Sequence, residues 1–267
     1  MSTSEHPRRG GRIGAAVVAV ACVAPFVYLL VLSFAERWAF PDVMPASWSG
    51  RFWVRALTGG ALTGSFGISL VVSLLVAVVS TAAGFVTAKY VAYHRHRQRL
   101  LLLAYVPFAM SPVILGTCLM YLYLRAGLVG TVAGVVIAQT TFAYGYAIVL
   151  FTAFWSPRTK DLEALVYTLG GSPAQAYRRV LLPVAKGALL LCFFQTFLLS
   201  WFQYGLTLLI GAGKIQTLPL KVYDYVNEAN PYNAAVASCL LVLPPVLMLW
   251  ANKRALSSGG LQVSSSP

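Results

Sequence analysis

Six long apolar stretches, separated by short polar ones, dominate the pattern along the chain: residues 13–34, 65–88, 100–124, 129–155, 188–210 and 233–251. Each approximates or exceeds the roughly 20 residues an α-helix needs to cross about 30 Å of hydrocarbon. None contains Asp, Glu, Lys, Arg or His. Continuous apolar runs, rather than alternation over about ten residues, exclude a β-barrel. The pattern therefore predicts an all-α, polytopic helical membrane protein. Six transmembrane helices form a single domain over 13–251, between an N-terminal tail (1–12) and a C-terminal tail (252–267). The first stretch exceeds the 7 to 15 apolar residues of a cleavable signal, so it is expected to stay as an uncleaved anchor.

Composition agrees, with 58% hydrophobic and 10% charged residues against roughly 45–50% and 25% in a soluble domain. The formal charge of +13 raises the question of nucleic acid, and its distribution answers it. Arg8, Arg9 and Arg12, then Lys89, Arg95, Arg97 and Arg99, then Arg158, Lys160, Arg178, Arg179 and Lys186, and finally Lys253 and Arg254 fall on one side of the six-span layout. Only Arg37, Arg51, Arg55, Arg125, Lys214 and Lys221 fall on the other. Short cytoplasmic loops carry the Lys and Arg excess, so both termini are predicted to be cytoplasmic. The charge is a topology signal and no nucleic-acid partner is implied.

Spans without an ionisable side chain lack the titratable relay of a proton-driven carrier and the arginines of a voltage sensor. If the protein moves a solute uphill, the energy has to enter from a partner. The chain itself carries no ATP motif: Gly211-Ala212-Gly213-Lys214 fails the P-loop pattern because Leu208 and Ile215 occupy the flanking Gly and Ser/Thr positions. Cys22, Cys118, Cys192 and Cys239 stand singly with no CxxC pair, which indicates neither a disulfide framework nor a zinc site. His94 and His96 sit in a basic run whose charges oppose a bound cation. No catalytic, metal or cofactor site is expected, and the chain is not expected to be an enzyme.

The informative segment is the loop 156–187 between the fourth and fifth stretches. Leu162, Leu165, Val166 and Leu169 recur at helical spacing, giving a short helix over 160–169 with an apolar stripe. Gly170 and Gly171 supply its stop. Ser172 offers an N-cap and Pro173 suits a first helical position, opening a second helix that Leu182-Pro183 is expected to end or redirect. Such an amphipathic helix either lies on lipid or docks into a groove on a soluble partner.

The residues from Gly170 to Pro183 resemble the cytoplasmic signature loop of permease subunits of binding-protein-dependent ATP-binding-cassette importers. That pattern places nine residues after the glycine, then Ile or Val, one residue, and Leu-Pro, which Gly170, 171–179, Val180, Leu181 and Leu182-Pro183 satisfy. In the first half the family's glutamate falls on Ala164, while this chain has Glu163 one place earlier, a rotation of about 100° on a helix. The stretches 107–112, 201–205 and 217–220 are similar to the branch handling polyamines, ferric iron or thiamine.

The resemblance implies a type I importer in the prokaryotic inner membrane. Its partners would be a second permease subunit, identical or paralogous, two ATPase subunits holding ATP and Mg, and an external solute-binding protein. The loop helix would be the coupling helix, with Leu162, Glu163, Leu165, Val166, Leu169 and Gly170 as its coupling residues. An ATP-independent channel or carrier, or a membrane scaffold, is the alternative. Polar residues inside the spans, Gln139, Tyr144, Gln195, Ser200 and Gln203, are candidates to line the pathway, or equally to bond between packed helices. Gln195 and Gln203, eight apart, are expected to share a helical face. Trp201 and Tyr204 suit an interfacial belt.

Overall fold

A computed structural model describes residues 9–38, 42 and 44–258. Among these the chain is helical apart from one small hairpin. In order, α1 (Arg9–Phe34) leads into β1 (Ala35–Arg37) and β2 (Ser47–Trp48), then α2 (Arg51–Thr58) and α3 (Ala61–Tyr93). There follow α4 (Arg97–Ala109), α5 (Pro112–Arg125), α6 (Val132–Phe154) and α7 (Pro157–Thr168). Then come α8 (Pro173–Gln175), a π-helical segment (Ala176–Leu181), α9 (Leu182–Trp201), α10 (Gly205–Gly211), α11 (Leu218–Asn227) and α12 (Pro231–Ser258). Five helical runs are long and apolar enough to cross a membrane, and α4 with α5 make a sixth candidate. The all-α, multi-pass reading holds.

The regular six-helix picture changes at two places. The third apolar stretch is two helices bent by 100° at their junction. Pro112 forces the residue before it out of the helical region, and both Met110 (φ −106°, ψ 141°) and Ser111 (φ −59°, ψ 142°) are extended. The fifth stretch differs at both ends. Its helix begins far earlier and runs on from Pro173 to Trp201, so Pro183 neither ends nor redirects it. Proline collides with the carbonyl four residues back in a regular α-helix, and here the preceding turns widen into the π-helical segment 176–181. At its other end the helix stops at Trp201 and restarts at Gly205. Gln195 and Gln203 therefore do not share one helical face.

The residues fall into two compact units: the described part of 1–63 with 221–242, and 64–220 with the described part of 243–267. In the first, β1 and β2 pair antiparallel. Leu32 and Ala35 are buried with Ala235. The Tyr232 ring stacks on Phe52 at 5.2 Å, and its hydroxyl accepts from the Trp38 backbone N–H at 2.8 Å. Most of α1 beyond its last turn is exposed, which suits a helix surrounded by lipid or by another subunit.

In the second unit α6 is central. Val135, Ala138 and Ala143 pack with Leu115, Leu206 and Ile210, while Ala147, Phe151 and Trp155 pack with Phe85, Leu181 and Cys192. Without a hydrophobic drive between helices in lipid, such contact depends on small residues that let backbones approach. The buried face of α3 supplies them at Ser69, Ser73, Ala77, Thr81, Gly84 and Ala88. At Gly84 the approach is closest, since an added Cβ would lie 2.5 Å from the Ala147 Cβ. Trp201 is buried, stacked on Phe197 at 5.6 Å with an edge contact to Phe66, so it belongs to this core and not to an interfacial belt.

Gly84→Val is expected to separate α3 from α6 and lower stability by about 1–3 kcal/mol, the usual cost of overpacking. Thermal unfolding in detergent checks this, and a midpoint equal to wild type would show that the two helices can slide apart freely.

Candidate functional site

The segment following α6 builds a short helix held at one face and open at the other. Ser156 is extended and Pro157 takes the first helical position, where its missing N–H costs nothing. The Thr159 hydroxyl donates to the Phe154 carbonyl at 2.8 Å. At the far end Gly170 adopts φ +78°, a conformation costly for a residue with a Cβ. The Gly171 N–H donates to the Val166 carbonyl and the Gly170 N–H to that of Tyr167, a double closure of the last turn. The expected stop at Gly170 is thus realised. Ser172 then forms a capping box with Gln175, so the next helix starts where the sequence indicates.

Glu163 is the fixed point of α7. Its side chain is buried, and its Oε1 accepts from Lys89 Nζ at 2.6 Å and from the Tyr167 hydroxyl at 2.7 Å. Lys89 lies four residues before the end of α3, its ammonium 5.0 Å from the centre of the Tyr177 ring and 5.5 Å from that of Trp155. Such cation–π contacts contribute about 0.5–2 kcal/mol each. The Trp155 indole N–H is itself tied to the Phe85 carbonyl at 3.1 Å. Burial pushes the Glu163 carboxyl up, but the hydrogen bonds from Lys89 and Tyr167 and the Lys89 charge outweigh it and hold the group below its ordinary value of 4.5. Donation to this carboxylate raises the Tyr167 hydroxyl above its ordinary range. A second tie runs from the Tyr93 hydroxyl to the Ser156 carbonyl at 3.3 Å.

The other coupling candidates divide by face. Leu162 and Val166 are half-buried. Leu165 and Leu169 are 57% and 80% exposed, so the apolar stripe read from the sequence is split between the protein and its surroundings. Lys89 had no signal of its own in the sequence. It follows directly on an apolar run, like any loop cation, and its partner is 74 residues away.

The pathway candidates are placed differently from one another. Gln139 is buried, its Nε2 donating to the Thr207 hydroxyl at 2.8 Å while its Oε1 accepts from Ser200. The Thr207 hydroxyl donates in turn to the Gln203 carbonyl at 3.1 Å. This chain of bonds joins α6, the end of α9 and the start of α10 across the break at 202–204. Tyr144 donates to Thr87 on α3 at 2.8 Å. Gln195 is half-buried, and the Gln203 Nε2 is buried without a partner among the described residues. No group of three or more His, Cys, Asp or Glu that might hold a metal occurs among the described residues.

The fold is all-α and multi-pass, with the short helix α7 pinned against one end of its larger unit. The model of the binding-protein-dependent transport system inner membrane component family matches residues 80–252, and the chain belongs to that family. It is 27% identical over 197 residues to the trehalose transport system permease protein SugB of Mycobacterium tuberculosis, covering 72% of this chain and 71% of that one. To the putative 2-aminoethylphosphonate transport system permease protein PhnV of Salmonella typhimurium it is 23% identical over 254 residues, covering 91% and 94%. In fold it is similar to a chain in the crystal structure of a bacterial ABC transporter involved in the import of the acidic polysaccharide alginate. There the TM-score is 0.68 at 17% identity, over 96% of this chain and 99% of that one. The protein is the permease subunit of an ATP-binding-cassette importer, and the reading as an importer subunit stands over that of a channel or scaffold.

Removing one partner of the Lys89–Glu163 pair leaves a largely buried polar group unpaired, a cost of about 1–3 kcal/mol. Lys89→Met is expected to lower the thermal midpoint accordingly. A carboxyl whose folded value is lowered stabilises fully above 4.5 and loses that contribution as pH falls through the folded value. The wild-type midpoint should therefore drop more steeply than that of Glu163→Gln below about pH 4.5 and run parallel to it above pH 6. Parallel curves throughout would mean the pair adds nothing to folding.

Proposed function

We propose that α7 is the coupling helix, presented on the cytoplasmic side to an ATPase subunit, with both termini on that same side. The observation that carries this is the division of α7 into two faces. Glu163 anchors one to α3, while Leu165 and Leu169 stand exposed on the other. Exposed leucines on a short, well-stopped helix suit insertion into a groove of a soluble partner. In the assembly two such permeases, identical or paralogous, lie above two ATPase subunits that hold ATP and Mg, and an external binding protein delivers the solute. A push on α7 passes through Glu163 and Lys89 to α3 and through the continuous helix 173–201 to the membrane core, as a rigid-body displacement.

Surface substitutions away from packed groups change stability by no more than about 0.5 kcal/mol, so Leu165→Arg and Leu169→Arg should leave the permease folded. Both are expected to abolish co-purification of the ATPase subunits and uptake into cells. Gly170→Asp, which strains the helix stop, is expected to retain the protein in the membrane but uncouple uptake. ATPase capture and uptake at wild-type levels in the two arginine variants would refute the docking role.

Among the candidate pathway residues, we infer that Gln139 and Ser200 hold the α9–α10 break in shape, whereas Gln195 and Gln203 supply polar groups to the passage. The supporting observation is that Gln139 and Ser200 satisfy one another, whereas the Gln203 Nε2 is buried without a partner among the described residues and Gln195 is only half-buried. Gln195→Leu and Gln203→Leu should each lower uptake several-fold while ATPase capture stays intact. Normal uptake in both would exclude them from the passage.

A further inference from the structure

Two cavities adjoin one another along α3 and the helix 173–201, and neither belongs to the coupling face. One, of about 490 Å³, is an apolar groove lined by Val78, Ala82, Phe85, Leu182, Leu189 and Phe193. The other, of about 410 Å³, is lined by Lys89, Tyr90, Tyr93 and His94. Val86 and Tyr177 line both, so the apolar groove leads to a hydroxyl-rich mouth that holds the Lys89 ammonium of the Glu163 ion pair. Each falls within the ordinary size of a ligand pocket.

The mouth is equipped to bind oxygen anions. An ammonium has three N–H donors, and Glu163 is the one hydrogen-bonded acceptor that Lys89 has among the described residues. The hydroxyls of Tyr90 and Tyr177 have no partner there either, and Tyr90 is 63% exposed. The His96 N–H donates to His94 Nδ1 at 3.0 Å, so Nε2 is the ring nitrogen left to bond elsewhere. Arg95, Arg97 and Arg99 follow at once, all exposed. Lys89 also stands near the end of a candidate membrane span, the depth at which long cationic side chains reach the headgroup layer.

We propose that this paired cavity is a binding site for one anionic phospholipid, its acyl chain in the α3–α9 groove and its phosphate at Lys89, Tyr90, Tyr177 and His94. The two limbs together select this occupant. Free phosphate leaves the apolar limb unexplained. A second copy docked on this same face across a two-fold axis would bring its own Arg95, Arg97 and Arg99 against the same run, and like charges repel where a lipid phosphate attracts. The site borders the Glu163 anchor without using the exposed face of α7, so it stands whether or not that face binds an ATPase.

The test uses the assembled importer, extracted gently, depleted of lipid by detergent exchange and incubated with phosphatidylglycerol or phosphatidylcholine vesicles. Native mass spectrometry then counts the lipids kept. One phosphatidylglycerol per copy of this chain is expected, favoured at least tenfold over phosphatidylcholine and not displaced by millimolar inorganic phosphate. His94→Glu places a carboxylate at the mouth and Ala82→Trp fills the groove. Each should cut retention at least tenfold in protein that still elutes as an intact complex. Equal retention of the two lipids, displacement by phosphate, or retention unchanged in either variant would overturn the proposal. Disulfide formation between Val86→Cys on one permease and Leu190→Cys on the other would also overturn it, by showing that protein covers the groove.

Discussion

Inside hydrocarbon there is no water to satisfy a backbone that leaves the helix, and that constraint organises the larger unit. Where the fifth stretch breaks and restarts, neighbouring groups meet the backbone ends. The Gly130 N–H donates to the Ile210 carbonyl at 2.7 Å, where the end of α10 meets the turn before α6. The Leu218 N–H donates to the Ser69 hydroxyl on α3 at 2.7 Å. The break at 202–204 is spanned by Ser200, Gln139 and Thr207. A straight six-helix bundle would need none of these bonds. The polar residues inside the spans follow from the breaks as much as from any passage for solute.

The helix α7 is tied firmly to the larger unit for a related reason. A helix outside the membrane core moves independently of it unless something stiff joins the two, and here the joint is an ion pair inside an aromatic enclosure. Phe85, Trp155 and Tyr177 surround the place where Lys89 meets Glu163, with the Phe85 and Trp155 rings 4.9 Å apart. Reduced access to water strengthens the attraction between the two charges, and the hydrogen bond from Tyr167 helps to offset the desolvation of the carboxylate. An exposed pair would contribute at most about 1 kcal/mol and transmit little.

Much of this was legible along the chain because it depends on local periodicity. The apolar stretches, the loop helix, the stop at Gly170 and the cap at Ser172 all follow from neighbours within one turn. What was hidden depended on distance. Thr207 acts through Gln139, 68 residues away, and Lys89 through Glu163, 74 residues away. Pro112 and Pro183 behave differently from one another. Pro112 breaks its stretch because the residue before it cannot remain helical, whereas Pro183 is absorbed by a widened turn. The break at 202–204 contains no proline or glycine, so the tertiary bonds to Gln139 carry the shape there.

The displaced glutamate gains its meaning from that geometry. Counted from Gly170, the family's glutamate position is occupied by Ala164, which is exposed, and the carboxylate sits one residue earlier and is buried. One step along a helix turns a side chain by about 100°, enough to move it from the outward face of α7 to the face against α3. The carboxylate in this chain therefore bonds within its own subunit, to Lys89, and leaves the outward face to Ala164, Leu165 and Leu169. If a soluble partner docks there, as proposed, its contact rests on shape and apolar burial, while the charge is kept for the joint between α7 and α3.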